Sequence, residues 1–288
     1  MASVTAVVGL IAGSLAVASL AATNTVSSTT STAPRVEHSV SAAKPNVVHV
    51  TGEDFKFDAP DIIPAGPTEF RFLNKGPSFH HLAILRLNGG KTIDDLRATL
   101  ADPGPPPSWV KEYGGANAPN PGEESNATLN LVPGNYALIC FVDIGGPPHF
   151  AKGMVRALRV VPSKRPASNP AASVTMTLYD YNFKLSGPIR SGTRTIRVRN
   201  AGKQHHEIEL VQLAPGKSIK EFLDWLGKPE GPPPGKGMGG VAGMEQGMTQ
   251  YFSANFTPGK YGLICFLPDV NDGKPHFAHG MVQEITVR

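Results

Sequence analysis

The feature that most constrains the fold of this chain is an internal repeat, in which one long sequence unit occurs twice. The strongest match aligns residues 132–160, VPGNYALICFVDIGGPPHFAKGMVRALRV, with residues 257–287, TPGKYGLICFLPDVNDGKPHFAHGMVQEITV. Upstream, FLNKG at residues 72–76 matches VRNAG at residues 198–202, and a pair of adjacent histidines follows in each unit. Because such a repeat corresponds to a repeated structural unit, the chain is predicted to fold as two similar domains.

The two copies set the expected domain boundaries. Domain one is predicted at residues 47–161 and domain two at residues 173–288, with the linker PSKRPASNPAA at residues 162–172. The linker is rich in Pro, Ser and Ala, which is typical of an exposed boundary between domains. A length of 288 residues also suits two domains of ordinary size.

The segment before the first copy is interpreted as a targeting sequence. Residues 2–22, ASVTAVVGLIAGSLAVASLAA, carry no charge and are followed by a Ser/Thr-rich tether at residues 23–46. No Lys or Arg precedes Arg35, so the basic start of an ordinary signal peptide is missing. Two interpretations stand: a cleaved signal peptide, or an N-terminal membrane anchor, for which about 20 apolar residues suffice. Both predict export, to a secreted, periplasmic or cell-envelope location.

Each copy is predicted to be mostly β-structure. The chain contains 31 Gly and 27 Pro, which disrupt helices and favour short strands joined by turns. The segments YALIC and YGLIC alternate apolar side chains on one face, as strands do. Short strands separated by frequent turns indicate a sandwich of about seven or eight strands in each copy.

One short helix is expected to interrupt each sandwich. Thr92-x-x-Asp95 precedes IDDLRATL, and Ser218-x-x-Glu221 precedes IKEFLDWL, and both pairs resemble the reciprocal capping signal of a helix N-terminus. The apolar residues of these helices are expected to pack against the sandwich: Leu96, Leu100, Phe222 and Trp225.

Each copy also carries one Cys, followed at similar spacing by one His and one Met. The first set is Cys140-x8-His149-x4-Met154, and the second is Cys265-x10-His276-x4-Met281. The His pair of each copy lies upstream, at the start of an apolar strand. Two imidazoles, one thiolate and a weak thioether are the ligand set of a type 1 copper site. The sequence therefore predicts up to one copper ion, cycling between Cu⁺ and Cu²⁺, in each domain.

With this ligand order the chain resembles the cupredoxins, in particular plastocyanin-like domains. FDAPDIIPAGPTEFRFLNKG at residues 57–76 is similar to the first strands of that family. G-x-Y-x-L-x-C at residues 134–140 and 259–265 is similar to the strand that leads into its copper cysteine, and the Gly-Met-Val that follows in each copy is similar to its axial Met and last strand. The resemblance implies an all-β fold of two tandem cupredoxin-like Greek-key β-sandwiches, and electron transfer with a redox partner protein that the sequence does not identify.

One feature departs from the family pattern. The Cys-to-His gap, usually two to four residues in plastocyanin-like proteins, is eight residues in the first copy and ten in the second. The insertions, DIGGPP and LPDVNDGKP, are rich in Gly and Pro. A longer segment would hold the His less rigidly, so the geometry, solvent access or reduction potential of the site is expected to change. Weak or absent copper binding remains an alternative for either domain.

The sequence leaves open which His of each pair is the ligand. In domain two, period-two alternation groups His206 with the core-facing Ile208 and Leu210, and the same register in domain one selects His81. The spacing from the preceding Gly that the resemblance to plastocyanin-like domains implies instead favours His205, and less clearly His80. The preferred ligands are His81, Cys140, His149 and Met154 in domain one and His206, Cys265, His276 and Met281 in domain two, with His80 and His205 as alternatives.

The two cysteines also have structural interpretations. An exported protein favours disulfides, but one Cys per domain excludes a bridge within either domain. A bridge between Cys140 and Cys265 would need both strands to meet at the domain interface, whereas the alternation turns both inward. Two buried thiols in metal-free sandwiches are the other alternative.

Three classes of function follow. The preferred one is an exported copper-binding cupredoxin for electron transfer, and not an enzyme. The second is a metal-free binding module or a copper carrier. The third, a two-domain copper oxidase or nitrite reductase, is disfavoured because those enzymes need a His beside the Cys or His-x-His pairs, and neither occurs.

The net charge is +4, and the basic residues are scattered along the sequence, which argues against nucleic acid as a partner. Met238, Met244 and Met248 lie in the Gly-rich segment KGMGGVAGMEQGM at residues 236–248. Methionines can line a Cu⁺ acquisition site, but the preferred interpretation is a flexible loop with adaptable apolar residues.

Overall fold

A computed structural model describes residues 43–101, 104, 106–143 and 146–288. The segment interpreted as a signal peptide or anchor, residues 2–22, and most of the tether lie outside these described residues. Within the described ranges, none of the helices has the length and apolar character needed to cross a membrane.

The described residues form strands almost throughout, with two α-helices. The first set of elements is β1 (Asn46–Glu53), β2 (Lys56–Asp58), β3 (Ile62–Pro64), β4 (Gly66–Asn74), β5 (Leu82–Leu87), α1 (Ile93–Leu100), β6 (Val110–Ala116), β7 (Glu124–Leu131), β8 (Gly134–Ile139) and β9 (Val155–Val161). The second set is β10 (Val174–Tyr179), β11 (Asn182–Leu185), β12 (Gly192–Asn200), β13 (His206–Leu213), α2 (Ile219–Gly227), β14 (Gly235–Met244), β15 (Thr249–Phe256), β16 (Gly259–Ile264) and β17 (Val282–Val287). Short 3₁₀ helices span His149–Lys152 and His276–His279.

The strands form two facing sheets, and each domain contributes to both. One sheet has the order β11-β10-β12-β15-β7-β4-β1-β2, and the other β17-β16-β13-β14-β6-β5-β8-β9-β3. In each domain the first strand pairs in parallel with a non-consecutive strand, β1 with β4 and β10 with β12, while hairpins are antiparallel. This Greek-key connectivity, with one short helix per sandwich, confirms the predicted all-β fold class.

The main core lies between the two sheets. Alternate residues of each strand point inward, so that Phe70 and Phe72 of β4 and Tyr136 and Leu138 of β8 are completely buried together. Cys140 extends this inward series by one step. The predicted alternation of YALIC is therefore the alternation of the folded strand.

The helices cover the outer face of the nine-stranded sheet. Both begin with the predicted capping box, in which Thr92 pairs with Asp95 and Ser218 with Glu221. Leu96 of α1 packs on a cluster that includes Ala83 of β5, which faces away from the main core. As a result, the strands below the helices are buried on both faces.

The apolar side of α2 makes the same kind of cluster, with one difference from expectation. Phe222 packs with Val211 and Ile264 on the outer face of the sheet. Trp225 does not join this cluster: its ring stacks on Phe222, and its indole N–H donates to the carbonyl of Gly231. The indole therefore closes the loop after the helix rather than packing into the sandwich.

Both sheets continue from one domain into the other. Strand β6 pairs antiparallel with β14, with Ala116 opposite Val241, and β7 pairs antiparallel with β15, with Thr128 opposite Tyr251. Each of these strands thus meets its own counterpart in the other copy, as in the two-fold interface of a homodimer. The two sandwiches share both sheets across a common boundary.

Residues 236–248, predicted to be a flexible loop, lie at this boundary, and the prediction is wrong for most of them. Most of the segment is strand β14, buried between β13 and β6, rather than a flexible loop. Gly240 has φ +128, and a Cβ at that position would lie 2.2 Å from the carbonyl oxygen of Ile208. Glycine is therefore required for the close approach of β14 to β13, and its abundance there reflects packing and not mobility.

Candidate metal centres

Strand pairing brings the predicted ligands of domain one to one end of the sandwich. Cys140 directly follows β8, Met154 directly precedes β9, and His80 lies just before β5. Because β8 pairs antiparallel with both β5 and β9, the end of β8 lies beside the starts of its two neighbours. His149 begins the 3₁₀ helix that connects Cys140 to Met154.

The first cluster consists of His80, Cys140 and His149, all buried. The Nδ1 atoms of His80 and His149 are 2.9 Å apart, and the Sγ of Cys140 lies 3.6 Å from Nδ1 of His149. One donor atom from each of the three residues lies within 4.8 Å of the others, which is the spacing of ligands around one metal ion.

The second cluster repeats this arrangement with His206, Cys265 and His276. The Nδ1 atoms of His206 and His276 are 3.2 Å apart, and Sγ of Cys265 lies 3.3 Å from Nδ1 of His276. All three side chains are buried. The two domains thus carry two separate clusters of identical composition.

Backbone hydrogen bonds close each of the two long Cys-to-His segments at its base. In domain one, the N–H of His149 donates to the carbonyl of Val142 at 2.9 Å, and the N–H of Phe150 to that of Cys140, also at 2.9 Å. These bonds bring His149 back beside Cys140, with its Nδ1 3.6 Å from Sγ of Cys140.

Domain two uses the same closure around its longer insertion. The N–H of His276 donates to the carbonyl of Leu267 at 2.8 Å, and the N–H of Phe277 to that of Cys265 at 3.0 Å. The insertion is further closed by a hydrogen bond from the N–H of Asp269 to the carbonyl of Lys274 at 2.8 Å. The described parts of both segments are thus tied to the Cys strand end by backbone hydrogen bonds.

The methionines are tied to the same strand ends. The N–H of Cys140 donates to the carbonyl of Met154 at 3.2 Å, and the N–H of Met154 donates to the carbonyl of His149 at 3.0 Å. Met281 makes the equivalent bonds with Cys265 and His276 at 3.2 and 3.0 Å. Both Met side chains are fully buried in the main core beside the cysteines.

The structure places His80, and not the preferred His81, in the first cluster. His81 is buried one step away, and its Nε2 accepts a hydrogen bond from the N–H of Phe141 at 2.9 Å. The register argument fails because β5 is apolar on both faces: Leu82 and Ile84 face the main core, while Ala83 and Leu85 face α1. Alternation alone cannot tell which of two buried faces is the core.

In domain two the structure places His206 in the cluster and His205 outside it. His205 is about half exposed, and its Nδ1 lies 3.0 Å from a carboxylate oxygen of Glu112 in β6 of the other domain. This carboxylate raises the pKa of His205 above its usual value. The position equivalent to His81 is occupied by Glu207, so the two His pairs are offset by one residue.

Two carboxylates near the clusters were missed in the sequence. Oδ1 of Asp54 lies 2.5 Å from Nε2 of His80, and Oδ1 of Asp180 lies 2.9 Å from Nε2 of His206. A carboxylate on the outer nitrogen of a metal-binding His fixes the orientation of the ring and leaves the other nitrogen free for the metal. The signal was present as Asp-Phe-x-Phe at residues 54–57 and Asp-Tyr-x-Phe at residues 180–183.

The cysteines are both free and buried, so the disulfide alternative does not describe this fold. Burial raises the pKa of the Cys140 thiol to about 11 and that of Cys265 well above its usual value. The backbone N–H of His81 donates a hydrogen bond to the sulfur of Cys140, and this bond lowers the pKa of that thiol against the effect of burial. Without metal, both thiols are therefore protonated at neutral pH.

The pKa values of His149, His206 and His276 are all lowered, which favours the neutral imidazole that binds metals. Burial, reinforced by the neighbouring His80, lowers the pKa of His149, and burial also lowers that of His206. Burial, together with His206, lowers the pKa of His276 to about 4. A metal ion binds the deprotonated forms of these side chains, so its binding would release the proton of the thiol.

The donor set of each cluster fits copper. Thiolate and thioether sulfur are soft ligands that favour Cu⁺, and imidazole serves both oxidation states of copper. The nearby carboxylates, Asp54 and Asp180, contact the outer nitrogens of the His rings and not the cluster interior. A buried mixture of nitrogen and sulfur donors disfavours Mg²⁺ and Ca²⁺, which take oxygen ligands.

A third group of potential ligands occurs only in domain two among the described residues. Asp269, Asp272 and His279 bring one donor atom each within 4.8 Å of the others. Asp269 is already satisfied, since it accepts hydrogen bonds from the hydroxyl of Tyr181 and the amide of Gln204. The equivalent of His279 in domain one is Lys152, so this group is not part of the repeated centre.

Comparison with known proteins gives matches among solved structures alone. No protein-family model and no curated protein sequence matches the chain. A reduced auracyanin from Roseiflexus castenholzii aligns at 21% identity over 42% of this chain and 99% of its own, with a TM-score of 0.29. Auracyanin A, a "blue" copper protein from Chloroflexus aurantiacus, aligns at 23% identity over 41% of this chain and 99% of its own, with a TM-score of 0.30.

Longer alignments are found with copper enzymes. The copper nitrite reductase of Nitrosomonas europaea aligns at 13% identity over 85% of this chain and 94% of its own, with a TM-score of 0.24. All of these similarities are low, and they carry no argument about what this chain does. What carries the functional argument is therefore the arrangement in the chain itself: two facing sheets with a buried His-Cys-His cluster in each copy of the repeat, and a buried Met hydrogen-bonded to each Cys.

Proposed function

We propose that this protein is an exported cupredoxin that transfers single electrons through one copper centre in each domain. The observation that carries the proposal is the pair of buried His-Cys-His clusters, each with its donor atoms within 4.8 Å of one another. The apolar N-terminal segment at residues 2–22 supports the export part of the proposal.

The first centre would be held by His80, Cys140 and His149, with Met154 as the weak axial ligand. The second would be held by the equivalent residues: His206, Cys265, His276 and Met281. Copper supplies the exchange of one electron between Cu⁺ and Cu²⁺ when it is bound at such a donor set.

The residues of the chain supply rigidity and shielding. In each centre the four proposed ligands are buried and lie at or near strand ends. Backbone hydrogen bonds of 2.8–3.2 Å join the segments that carry the Cys, the second His and the Met. Asp54 and Asp180 hold the rings of His80 and His206 in position. A framework that holds one geometry for both oxidation states suits electron transfer, because little rearrangement then accompanies each transfer.

The experiment is to load the purified protein with Cu²⁺ and record its visible and EPR spectra together with its copper content. The proposal expects an intense thiolate-to-copper charge-transfer band that weakens in Cys140→Ser and in Cys265→Ser and is lost in the double variant. Absence of the band and of bound copper in the folded wild-type protein would identify a metal-free module instead.

Reversible reduction separates electron transfer from the other copper functions. We expect each centre to be reduced and reoxidised by one electron without loss of copper, and the loaded protein to leave phenols and nitrite unchanged. Release of copper on reduction would indicate a carrier, and turnover of a phenol or of nitrite would indicate an oxidase or a nitrite reductase.

A further inference from the structure

The side chain of Gln204 lies beside the second cluster and uses all of its hydrogen-bonding groups. Its Oε1 accepts the backbone N–H of Val270 at 2.9 Å and lies 3.3 Å from Nε2 of His276. Its Nε2 donates to Oδ2 of Asp269 at 2.7 Å and to the hydroxyl oxygen of Tyr181 at 3.0 Å. The Tyr181 hydroxyl in turn donates to the same oxygen of Asp269. The amide of Gln204 is thus fixed at both its oxygen and its nitrogen.

These contacts determine which nitrogen of His276 carries the proton. The backbone N–H of Val270 can only donate, so the Gln204 atom that faces it must be the oxygen and not the amide nitrogen. That oxygen can only accept, and therefore Nε2 of His276 carries the proton that it donates to Gln204. Oδ2 of Asp269, 4.0 Å from the same nitrogen, adds negative charge that favours a proton there. In the neutral ring, Nδ1 of His276 is consequently bare, as metal binding requires.

The first cluster has different surroundings. The residues equivalent to Gln204 and Tyr181 are Ser78 and Phe55. Serine is shorter than glutamine, and phenylalanine has no hydroxyl, so these two residues cannot form the same set of hydrogen bonds. The ring of Phe55 packs instead against the ring of His149, with the ring centroids 4.8 Å apart. An apolar side chain therefore lies against the second His of this cluster.

The contacts within the first cluster indicate the opposite tautomer for His149. Oδ1 of Asp54 accepts from Nε2 of His80, so Nδ1 of the neutral His80 ring is bare. Nδ1 of His149 lies 2.9 Å from this bare nitrogen and carries the proton that joins the two rings. The equivalent distance in the second cluster is longer, at 3.2 Å. Before Nδ1 of His149 can bind a metal ion, its proton has to move to Nε2 of the same ring.

We infer that Gln204 is a positioning residue that holds His276 in its metal-binding tautomer and so makes the second centre the tighter of the two. Both imidazoles of the second cluster have an outer hydrogen-bond partner, Asp180 or Gln204. Among the described residues, the first cluster has one such partner, Asp54 on His80. Loss of a partner of this kind typically costs about 10–100-fold in metal affinity. The order of affinity rests on the proposed function, whereas the two tautomers do not.

The first test uses the metal-free full chain at neutral pH. ¹⁵N NMR of the histidine side chains distinguishes a ring nitrogen that carries a proton from a bare one. We expect the proton of His276 on Nε2 and that of His149 on Nδ1. In Gln204→Leu the proton of His276 should move to Nδ1, while His149 stays unchanged. Identical tautomers of the two residues in wild type, or an unchanged His276 in Gln204→Leu, would overturn the inference.

Gln212→Leu is the matched control. Gln212 belongs to β13 of the same domain, and its Nε2 donates at 2.7 Å to the hydroxyl of Thr257, which belongs to neither cluster. The tautomer of His276 should be the same in this variant as in wild type. A change equal to that in Gln204→Leu would attribute the effect to general loosening of domain two and contradict the inference. If Gln204→Leu fails to fold, Gln204→Ser, which has the side chain found in domain one, serves the same comparison.

Competition titration of Cu⁺ with a chelator then compares the two centres one at a time. Cys265→Ser leaves the first cluster complete, and Cys140→Ser leaves the second. The second cluster should bind Cu⁺ about 10–100-fold more tightly, and adding Gln204→Leu to Cys140→Ser should remove most of this difference. Equal affinities, or a difference that survives Gln204→Leu, would contradict the inference. Absence of binding at both clusters would contradict the proposed function and leave the tautomers of the metal-free protein in place.

Discussion

Asp180 offers the clearest perturbation of a single centre. Its Oδ1 lies 2.9 Å from Nε2 of the fully buried His206, and it also accepts the backbone N–H of Lys203 at 2.8 Å. The carboxylate thus fixes both the His206 ring and the loop that precedes it. We expect Asp180→Ala to leave the fold intact, because Asp180 is 29% exposed and water can replace its contacts, but to release the ring.

The expected loss is in copper affinity. Removal of a carboxylate that orients a metal-binding His typically costs about 10–100-fold in metal affinity. That range corresponds to about 1.4–2.7 kcal/mol at 25 °C. Asp180→Asn keeps an oxygen acceptor at the same position for His206, so its loss should lie at the lower end of the range.

The assay is a competition titration of Cu⁺ with a chelator in the Cys140→Ser background, where the second cluster alone is complete. Asp61→Ala is the control, since Asp61 is an exposed carboxylate of domain one whose ion pair with Arg156, at 2.8 Å, involves no residue of the second cluster. Unchanged affinity in Asp180→Ala, or an equal loss in Asp61→Ala, would refute the reasoning.

Three further predictions concern the stability of the fold. Burial, together with the charge of Glu207, raises the pKa of Glu209 well above its usual value, so the folded chain binds this proton more tightly than the unfolded chain. Its contribution to stability is therefore complete below about pH 4.5 and is lost as the pH rises through the folded pKa. The melting temperature of Glu209→Gln should fall less between pH 5 and pH 8 than that of wild type, and equal falls would contradict this. Gly240→Ala should destabilise β14 by more than the roughly 1–3 kcal/mol of backbone strain alone, because its Cβ would meet the carbonyl oxygen of Ile208 at 2.2 Å. Gly216→Ala, also at positive φ but with open space around its Cβ, should show the strain alone in urea unfolding. Tyr261→Phe should lose about 1–2 kcal/mol, because the hydroxyl both donates to the carbonyl of Thr257 and accepts its N–H at 2.9 Å. Tyr136→Phe, which removes a single hydroxyl donation to Val132, should lose less in the same unfolding measurement.

The fold class could be predicted from the sequence because local signals agreed with the global pattern. The alternation of YALIC and the capping boxes at Thr92 and Ser218 depend only on near neighbours in the chain, and all three are present in the structure. These local features do not depend on which elements pack against the two faces of a strand, so the sequence alone predicts them.

The structure differs from the sequence-based expectations where the position of a residue depends on partners that are distant in the chain. The sequence favours His81 over His80, because alternation cannot distinguish the face of β5 that meets the main core from the face that meets α1. The composition of the Gly-rich segment predicts a loop, because the pairing of β14 with β6 of the other domain has no signal in the local sequence. Asp54 and Asp180 were overlooked because their contacts with His80 and His206 are each 26 residues away in the chain.

The copper content per chain tests the central claim most directly. Elemental analysis of the loaded and desalted full chain should give two copper ions per molecule in wild type, one each in Cys140→Ser and Cys265→Ser, and none in the double variant. A wild-type protein that stays folded and retains no copper, or a double variant that retains as much as wild type, would contradict the account.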